Sequence, residues 1–362
     1  MALSTIKTAS IDNNAVTTDK IVNDGNLGNR NLIINGAMAV DQRHDGSSFT
    51  VSNGNAVTGF VADRFRVNET SGAAITGQKV ADAPVGFTHS SKLTITTADA
   101  SLGSTEFHRV IQPIEGKDIS HLNWGTSNAK TLTLTFHVKS SLAGQYYISV
   151  FNNAADRTLL KGYTISSANT WEKKTITIIG DQTGTWLTTN GVGIHLMWSL
   201  GTGSTYQSNT LDAYQAGFFM AKSDQVNLAA TNGSTWQLTG VQLEVGEVAT
   251  PFNNEDIATT LAKCQRYYFQ YGPSGGAVFR HFNPAYTNNS YCSAVQSFPV
   301  EMRAVPTVAY SAITYQNADN WGTSSGEKNQ ILTYSISTST QPISGAYIDG
   351  NNTDYAYVNA EL

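Results

Sequence analysis

The sequence predicts an all-β protein: a jelly-roll-like β-sandwich, then a short helix, then a smaller distal β-sandwich domain. Three observations carry this. Residues 130–139 alternate strictly, with Leu132, Leu134, Phe136 and Val138 on one face and Thr131, Thr133, Thr135, His137 and Lys139 on the other. That is the period-two pattern of a strand with one buried and one wet face. The same texture recurs along most of the chain without alternating helices, which points to packed antiparallel sheets. Charged residues make up only 14% of the 362 positions, well below the usual quarter, and Gly, Ser, Thr and Asn fill the gap.

Along the chain, residues 1–30 come first and differ from the rest. Ile6, Ile11, Val16 and Ile21 recur at intervals of five, a spacing that fits neither helix nor strand. Such a segment cannot bury its few apolar groups alone, so it is either disordered or lies against other chains, and its regular apolar spacing favours the second. Residues 31–252 form the main β region. Candidate strands are 60–67, 91–97, 107–114, 130–139, 145–151, 171–178, 192–199 and 236–245, separated by turn clusters such as Ser101-Leu-Gly-Ser104 and Gly201-Thr-Gly-Ser204. Trp198 shares a face with Val192, Ile194 and Leu196 and reads as core, so its indole N–H needs an acceptor.

Residues 253–265 read as a helix. Asn253 or Asn254 can cap it, Glu255 and Asp256 suit the positive end of its dipole, and Ile257, Leu261, Cys264 and Tyr268 follow at helical spacings. At about three turns it needs a partner, either a neighbouring β domain or copies of itself along a common axis. Residues 266–362 change composition: eleven of the sixteen tyrosines lie between Tyr267 and Tyr357, and Lys328 is the only lysine. Candidate strands there are 294–300, 307–314, 330–337 and 355–359. Pro306 forces a turn or an edge position, because proline lacks the amide of a central ladder.

Composition excludes several classes. A net charge of −5 gives no support to a phosphate-binding partner, so nucleic acid is not expected. No stretch is apolar enough for membrane insertion, and the amino terminus lacks the apolar run of a secretory signal; a soluble product made in a cytosol is the expectation. Cys264 and Cys292 are in neither a metal nor a redox spacing and read as reduced thiols.

Several strings in order then become informative: Asn31-Leu-Ile-Ile-Asn-Gly-Ala-Met-Ala-Val-Asp-Gln-Arg43, Ala62-Asp-Arg-Phe-Arg66, Ile111-Gln-Pro-Ile-Glu-Gly116, Trp124-Gly-Thr126, Phe136-His-Val-Lys-Ser140, Val241-Gln-Leu-Glu-Val-Gly246 with Ala249-Thr-Pro-Phe252, and Cys264-Gln-Arg-Tyr-Tyr268. Phe298-Pro-Val-Glu-Met-Arg-Ala-Val-Pro306 and Ala360-Glu-Leu362 complete the series. Their order resembles a family of tail-fibre and receptor-binding proteins of tailed bacteriophages, frequent among marine and cyanobacterial phages. The resemblance implies a homotrimeric fibre in the virion, assembled in the host cytoplasm. It implies attachment of the amino end to a tail adaptor, nozzle or other virion protein, and contact of the β domains with a host surface glycan or protein receptor. Many such fibres carry a long amino-terminal attachment domain. Only about thirty residues precede the globular part here, so a docked peptide is expected, and a head-attached fibre is the alternative.

The enzymatic rival is a tailspike-type glycan depolymerase, which needs two carboxylates at a set separation. Glu106, Glu115 and Asp118 cluster in sequence, but Glu115 falls in a family string and reads as a turn or hydrogen-bonding residue. The seven histidines include no metal-binding pair, and His137 and His195 are expected at sheet surfaces. No nucleophile elbow or phosphate loop is present. The turn Asp349-Gly-Asn-Asn-Thr-Asp354 has calcium-type oxygens but reads as a plain turn. No catalytic residue, metal or cofactor is therefore expected. The binding signal is distal: Tyr286, Asn288, Asn289, Tyr291, Tyr315, Asn317 and Trp321 combine rigid rings with amides suited to sugar hydroxyls. Packing of strand tyrosines between subunits is the competing reading. Ile257 and Leu261, with Ile6, Ile11, Val16 and Ile21, are the expected trimer and virion contacts.

Overall fold

The computed structural model describes residues 30–52, 59–271, 279–281, 291–310, 314–316, 318–324, 327–337, 346–349 and 356–362. The expected contacts Ile6, Ile11, Val16 and Ile21 lie outside them.

Alternating apolar residues build a sandwich of thirteen strands: β1 (Phe49–Ser52), β2 (Gly59–Ala62), β3 (Phe65–Glu69), β4 (Ala74–Val80), β5 (Ser90–Thr97), β6 (Phe107–Glu115), β7 (Leu132–Ser140), β8 (Gly144–Phe151), β9 (Arg157–Ile165), β10 (Glu172–Ile178), β11 (Val192–Thr202), β12 (Tyr214–Ala216) and β13 (Thr235–Val245). One antiparallel sheet runs β1-β4-β5-β13-β7-β10 and the other β12-β9-β8-β11-β6-β3-β2. A one-turn helix, α1 (Gly116–Ile119), follows β6. The inward faces meet in one core, centred on fully buried Phe65, Phe136, Trp198 and Trp236. Phe136 meets Trp198 edge-on at 5.8 Å and Tyr163 at 5.2 Å. Such pairs add about 0.5–1.5 kcal/mol each beyond area burial.

The structure corrects four expectations. Residues 60–67 are not one strand but the hairpin β2–β3, turning at Asp63-Arg64. Arg64 takes the left-handed backbone (φ 73°), which a non-glycine residue enters only when its surroundings hold it there. The polar face of β7 is not wet throughout. Thr133 and Thr135 are buried because the chain after β13 folds back over them, with Thr133 Oγ1 donating to the Gly246 carbonyl at 2.7 Å. Within β13, Gly240 (φ 62°) lies in a bulge, and a Cβ there would clash with Phe87 and His137. Trp198 is core as expected, yet its Nε1 has no acceptor among the described residues: the rings of Phe65 and Phe136 around it offer no lone pair. Strands β1, β4, β9 and β12 lacked a strong sequence pattern and were not anticipated.

The fourth correction concerns the helix, α2 (Ile257–Gln265). Its cap is Asp256, not Asn253 or Asn254: Asp256 Oδ1 accepts from Thr259 N at 3.0 Å, while Asn253 N donates to Gln242 Oε1. Thr260 and Cys264 form its buried face, Leu261 is half-buried, and Ile257 stays 58% exposed. The expected seam through Ile257 is therefore not covered within one subunit. Cys264 is a free, buried thiol, and burial pushes its pKa far up. The side chain of Cys292 is not among those described.

Beyond α2 follow β14 (Tyr268–Tyr271), β15 (Phe279–His281), β16 (Tyr291–Ser297), β17 (Thr307–Tyr310), β18 (Thr314–Gln316), β19 (Ala318–Ser324), β20 (Gln330–Ser337), β21 (Ala346–Asp349) and β22 (Ala356–Asn359). They pair antiparallel as β14-β22-β17, β15-β21-β18 and β16-β20-β19. Pro306 immediately precedes the edge strand β17, as its missing amide requires. Phe269, Phe298, Met302, Val358 and Ala360 make a small separate core.

Candidate functional site

At one end of the sandwich three loops meet: the β5–β6 connection, the turn after β11, and residues 223–227. The backbones nearly touch. Gly203 N donates to Glu106 O at 2.8 Å, Thr205 N donates to Ser104 O at 2.9 Å, and a Cβ at Gly203 would lie 2.0 Å from the Gly103 carbonyl. Only glycine admits that approach. Between the loops opens a cleft of about 340 Å³ lined by Ser104, Thr202, Ser204, Gln207, Gln225 and Asn227, with Ala100, Leu102, Gly203 and Ser223 completing it. No titratable side chain lines it.

Its amides are held in place rather than free to rotate. Gln207 Nε2 donates to Thr202 O at 2.9 Å, and Gln225 Oε1 accepts from Ser199 Oγ at 2.8 Å. Asn227 Nδ2 donates to Asp99 O while its Oδ1 accepts from Ala229 N, both at 3.0 Å. The hydroxyls of Ser104, Ser204 and Ser223 face solvent on exposed residues. A cleft of fixed amides and free hydroxyls, without charge, can exchange hydrogen bonds with a polyol. It offers no acid, base or nucleophile for bond cleavage.

Of the carboxylates expected of the enzymatic rival, Glu106 stands far from the other two. Glu106 and Glu115 flank the two ends of β6, about 30 Å apart at the usual strand rise, three times the widest glycosidase separation. Glu106 Oε2 instead accepts from Gly103 N at 2.6 Å, shaping the cleft loop. Glu115 is 1% exposed and accepts from Arg266 Nη2 at 2.9 Å and from the Tyr267 hydroxyl at 3.0 Å. Its hydrogen-bonding role is the expected one. Asp118 lies on α1, where partial burial and then the nearby Glu115 charge raise its pKa, but Glu115 itself is taken up by Arg266 and Tyr267.

Glu115 belongs to a buried polar joint between the sandwich and the distal sheets. Arg43 pairs with Asp63 at 3.4 Å and Glu361 at 3.0 Å, and Arg64 pairs with Glu361 and stacks 3.6 Å over Tyr267. Gln42 Nε2 reaches Asp63 Oδ2 and the Tyr268 carbonyl, and Arg303 donates to the Ala360, Glu361 and Asn190 carbonyls. Most of the recurring sequence strings thus converge on one structural node.

Of the expected receptor contacts, Tyr286, Asn288, Asn289 and Asn317 lie outside the described residues. Tyr291, Tyr315 and Trp321 fall on strands β16, β18 and β19 rather than on loops. The positions of those three side chains, and the Asp349–Asp354 turn beyond β21, are likewise outside what is described. Among the described residues no three His, Cys, Asp or Glu side chains group as a metal site, and no helix is long and apolar enough to cross a membrane. Sequence reading missed Gln207, Gln225 and Asn227; the turn clusters beside them were visible, but nothing local says that those loops converge.

No family model and no curated protein matches the sequence. Among solved structures, the chain is similar to the enzymatically active domain of tailspike protein 4 of bacteriophage CBA120, at 11% identity and a TM-score of 0.33, over 59% of this chain and 21% of that one. The match thus spans about a fifth of the tailspike. It is also similar to a family 11 carbohydrate-binding module from Clostridium thermocellum in complex with a β-1,3-1,4-mixed-linked tetrasaccharide (10% identity, TM-score 0.29, 56% and 98% covered). A third is TmCBM61 in complex with β-1,4-galactotriose (11% identity, TM-score 0.31, 60% and 99% covered). At TM-scores this low, none of these likenesses bears on what this chain binds.

Proposed function

We propose that this chain is a non-catalytic attachment protein that grips surface glycan, built as a trimeric tail fibre of a tailed phage. The observation that carries the glycan reading is the uncharged cleft of fixed amides and exposed hydroxyls between residues 100–104, 203–207 and 223–227. The fibre reading rests on the order of the sequence strings, most of which supply residues to the polar joint between the sandwich and the distal sheets. The exposed Ile257 on α2 suits contact between copies, and the distal Tyr286–Tyr291 and Tyr315–Trp321 segments remain the expected receptor contacts.

Titration calorimetry of the full chain against a panel of neutral oligosaccharides tests the cleft. Binding is expected, with Gln207→Ala weakening it about 3- to 10-fold, the worth of one net hydrogen bond. Intact affinity in that variant rejects the cleft. Shortened oligosaccharides after incubation reject the non-catalytic assignment, and a stable monomer in sedimentation at micromolar concentration rejects the trimer.

A further inference from the structure

The larger sheet presents its outer face, away from the core, to a cover formed by residues 206–221. Ladder register sets out that face. Asn68, Arg109, Ser199 and Tyr147 form one cross-strand row, and Arg66, Ile111, Met197 and Ser149 the next; Pro113, His195 and Phe151 form the third. Ile111, Met197, Phe151 and Met220 make an apolar floor, with Phe107, Tyr206 and Phe218 packed against it. Arg66 and His195 flank Ile111 from neighbouring strands, and Arg109 lies two residues along β6, so two guanidiniums and an imidazole crowd one small area.

Most arginines of this fold have a carboxylate: Arg30 has Glu244, Arg43 has Asp63, Arg64 has Glu361, Arg157 has Asp181 and Arg266 has Glu115. Among the described residues Arg66 and Arg109 form no ion pair. Arg109 Nε donates to Asn68 Oδ1 at 3.2 Å, its Nη1 lies 3.7 Å from Met197 Sδ, and its guanidinium lies over the Phe107 ring at 4.6 Å. Arg66 Nη1 donates to Leu362 O at 3.3 Å, and the neighbouring Glu361 carboxylate attracts its guanidinium without a direct contact. Two buried polar side-chain atoms on this face, Arg66 Nε and His195 Nδ1, have no hydrogen-bond partner among the described residues. Orphaned buried polar atoms beside guanidiniums without a direct carboxylate contact leave hydrogen-bonding capacity for an acceptor on this face. All three residues remain partly accessible.

We infer that Arg66, Arg109 and His195 form an oxyanion site for the carboxylate or sulfate of an acidic saccharide. Guanidinium forks match such groups, and the rings of Phe107 and Phe218 keep the Arg109 fork oriented. The site adjoins the neutral cleft: Arg109 pairs with Ser199 across the ladder, and the Ser199 hydroxyl donates to Gln225 of the cleft wall. The inference rests on the glycan reading for the sugar that bears the anion, and stands on its own geometry for the anion itself.

The test titrates the full chain with oligogalacturonides, their methyl esters, a sulfated dextran oligosaccharide and inorganic sulfate at matched ionic strength. The expected result is binding of the acidic sugars about 10- to 100-fold tighter than the neutral ester. That preference should collapse in Arg109→Gln and Arg66→Gln but largely persist in Arg109→Lys, with folding verified by thermal melts. Gln207→Ala should weaken acid and ester alike. In the wild-type chain the His195 imidazole resonance should titrate at higher pH when the acidic sugar is bound, a readout independent of the variants' folding. Equal affinity for acid and ester, or a preference that survives Arg109→Gln, overturns the oxyanion site while leaving the cleft standing. Inorganic sulfate competing as well as the acidic sugars overturns the saccharide assignment, and no binding of any sugar overturns both readings.

Discussion

At the scale of single residues, burial rather than pairing sets the protonation of His195. Desolvation, with Arg66 and Arg109 facing it, lowers the pKa of His195 to about 3. The unfolded chain therefore takes up that proton first as pH falls, and stability is lost from about pH 6.5 downward towards 3. His44, His89 and His137 are depressed in the same direction, also chiefly by desolvation. Asp63 runs the other way, its pKa raised by burial, which favours the fold at low pH. The expected outcome is a lower urea midpoint at pH 4.5 than at pH 7, with His195→Gln removing part of that difference. An unchanged difference would assign it to the other histidines and to the carboxylates held low in the fold, such as Glu172 and Asp181. In the core, Trp198→Ala should cost about 3–5 kcal/mol, because its cavity lies between Phe65 and Phe136 where neither sheet can collapse. Chemical denaturation reads it directly.

At the scale of elements, two features decide which local patterns survive. The β2–β3 hairpin turns on Asp63-Arg64 without the Asn-Gly or Asp-Gly signal of such turns. Its left-handed Arg64 is held by Glu361, the Pro113 carbonyl and the Tyr267 ring, all distant in sequence. The helix α2 is started by Asp256, whose carboxylate accepts the Thr259 amide and hydroxyl. Asp256→Ala should speed amide hydrogen exchange in the first turn of α2 while leaving the sandwich strands protected. Equal protection in both proteins would show that tertiary contacts, not the cap, start this helix.

At the scale of the whole molecule, the joint couples the sandwich to the distal sheets. Glu361 follows β22 and serves both Arg43 and Arg64 of the sandwich, while Arg266 and Tyr267 between α2 and β14 reach back to Glu115. Removing one partner of such a buried pair leaves an uncompensated charge, at a cost of several kcal/mol. Glu361→Ala should therefore split calorimetric unfolding into two transitions, the distal one lower. A single shifted transition would mean that apolar contacts couple the two parts.

The sequence by itself determined the all-β class, most sandwich strands and the apolar core faces. Alternation at Leu132, Leu134, Phe136 and Val138 is local information, and a strand with one buried face must show it. It also marked Glu115 as structural and located α2 to within a few residues. Strands with weak alternation, such as β4 and β12, escaped it because neighbouring sheets and loops supply their burial. Only the tertiary structure decided that Thr133 lies under a returning loop, that Arg64 can hold a strained turn, and that Gln207 and Gln225 share a cleft. It likewise placed Arg66, Arg109 and His195 on one face, since ladder register between strands far apart in sequence depends on the closed sheet and not on any local pattern.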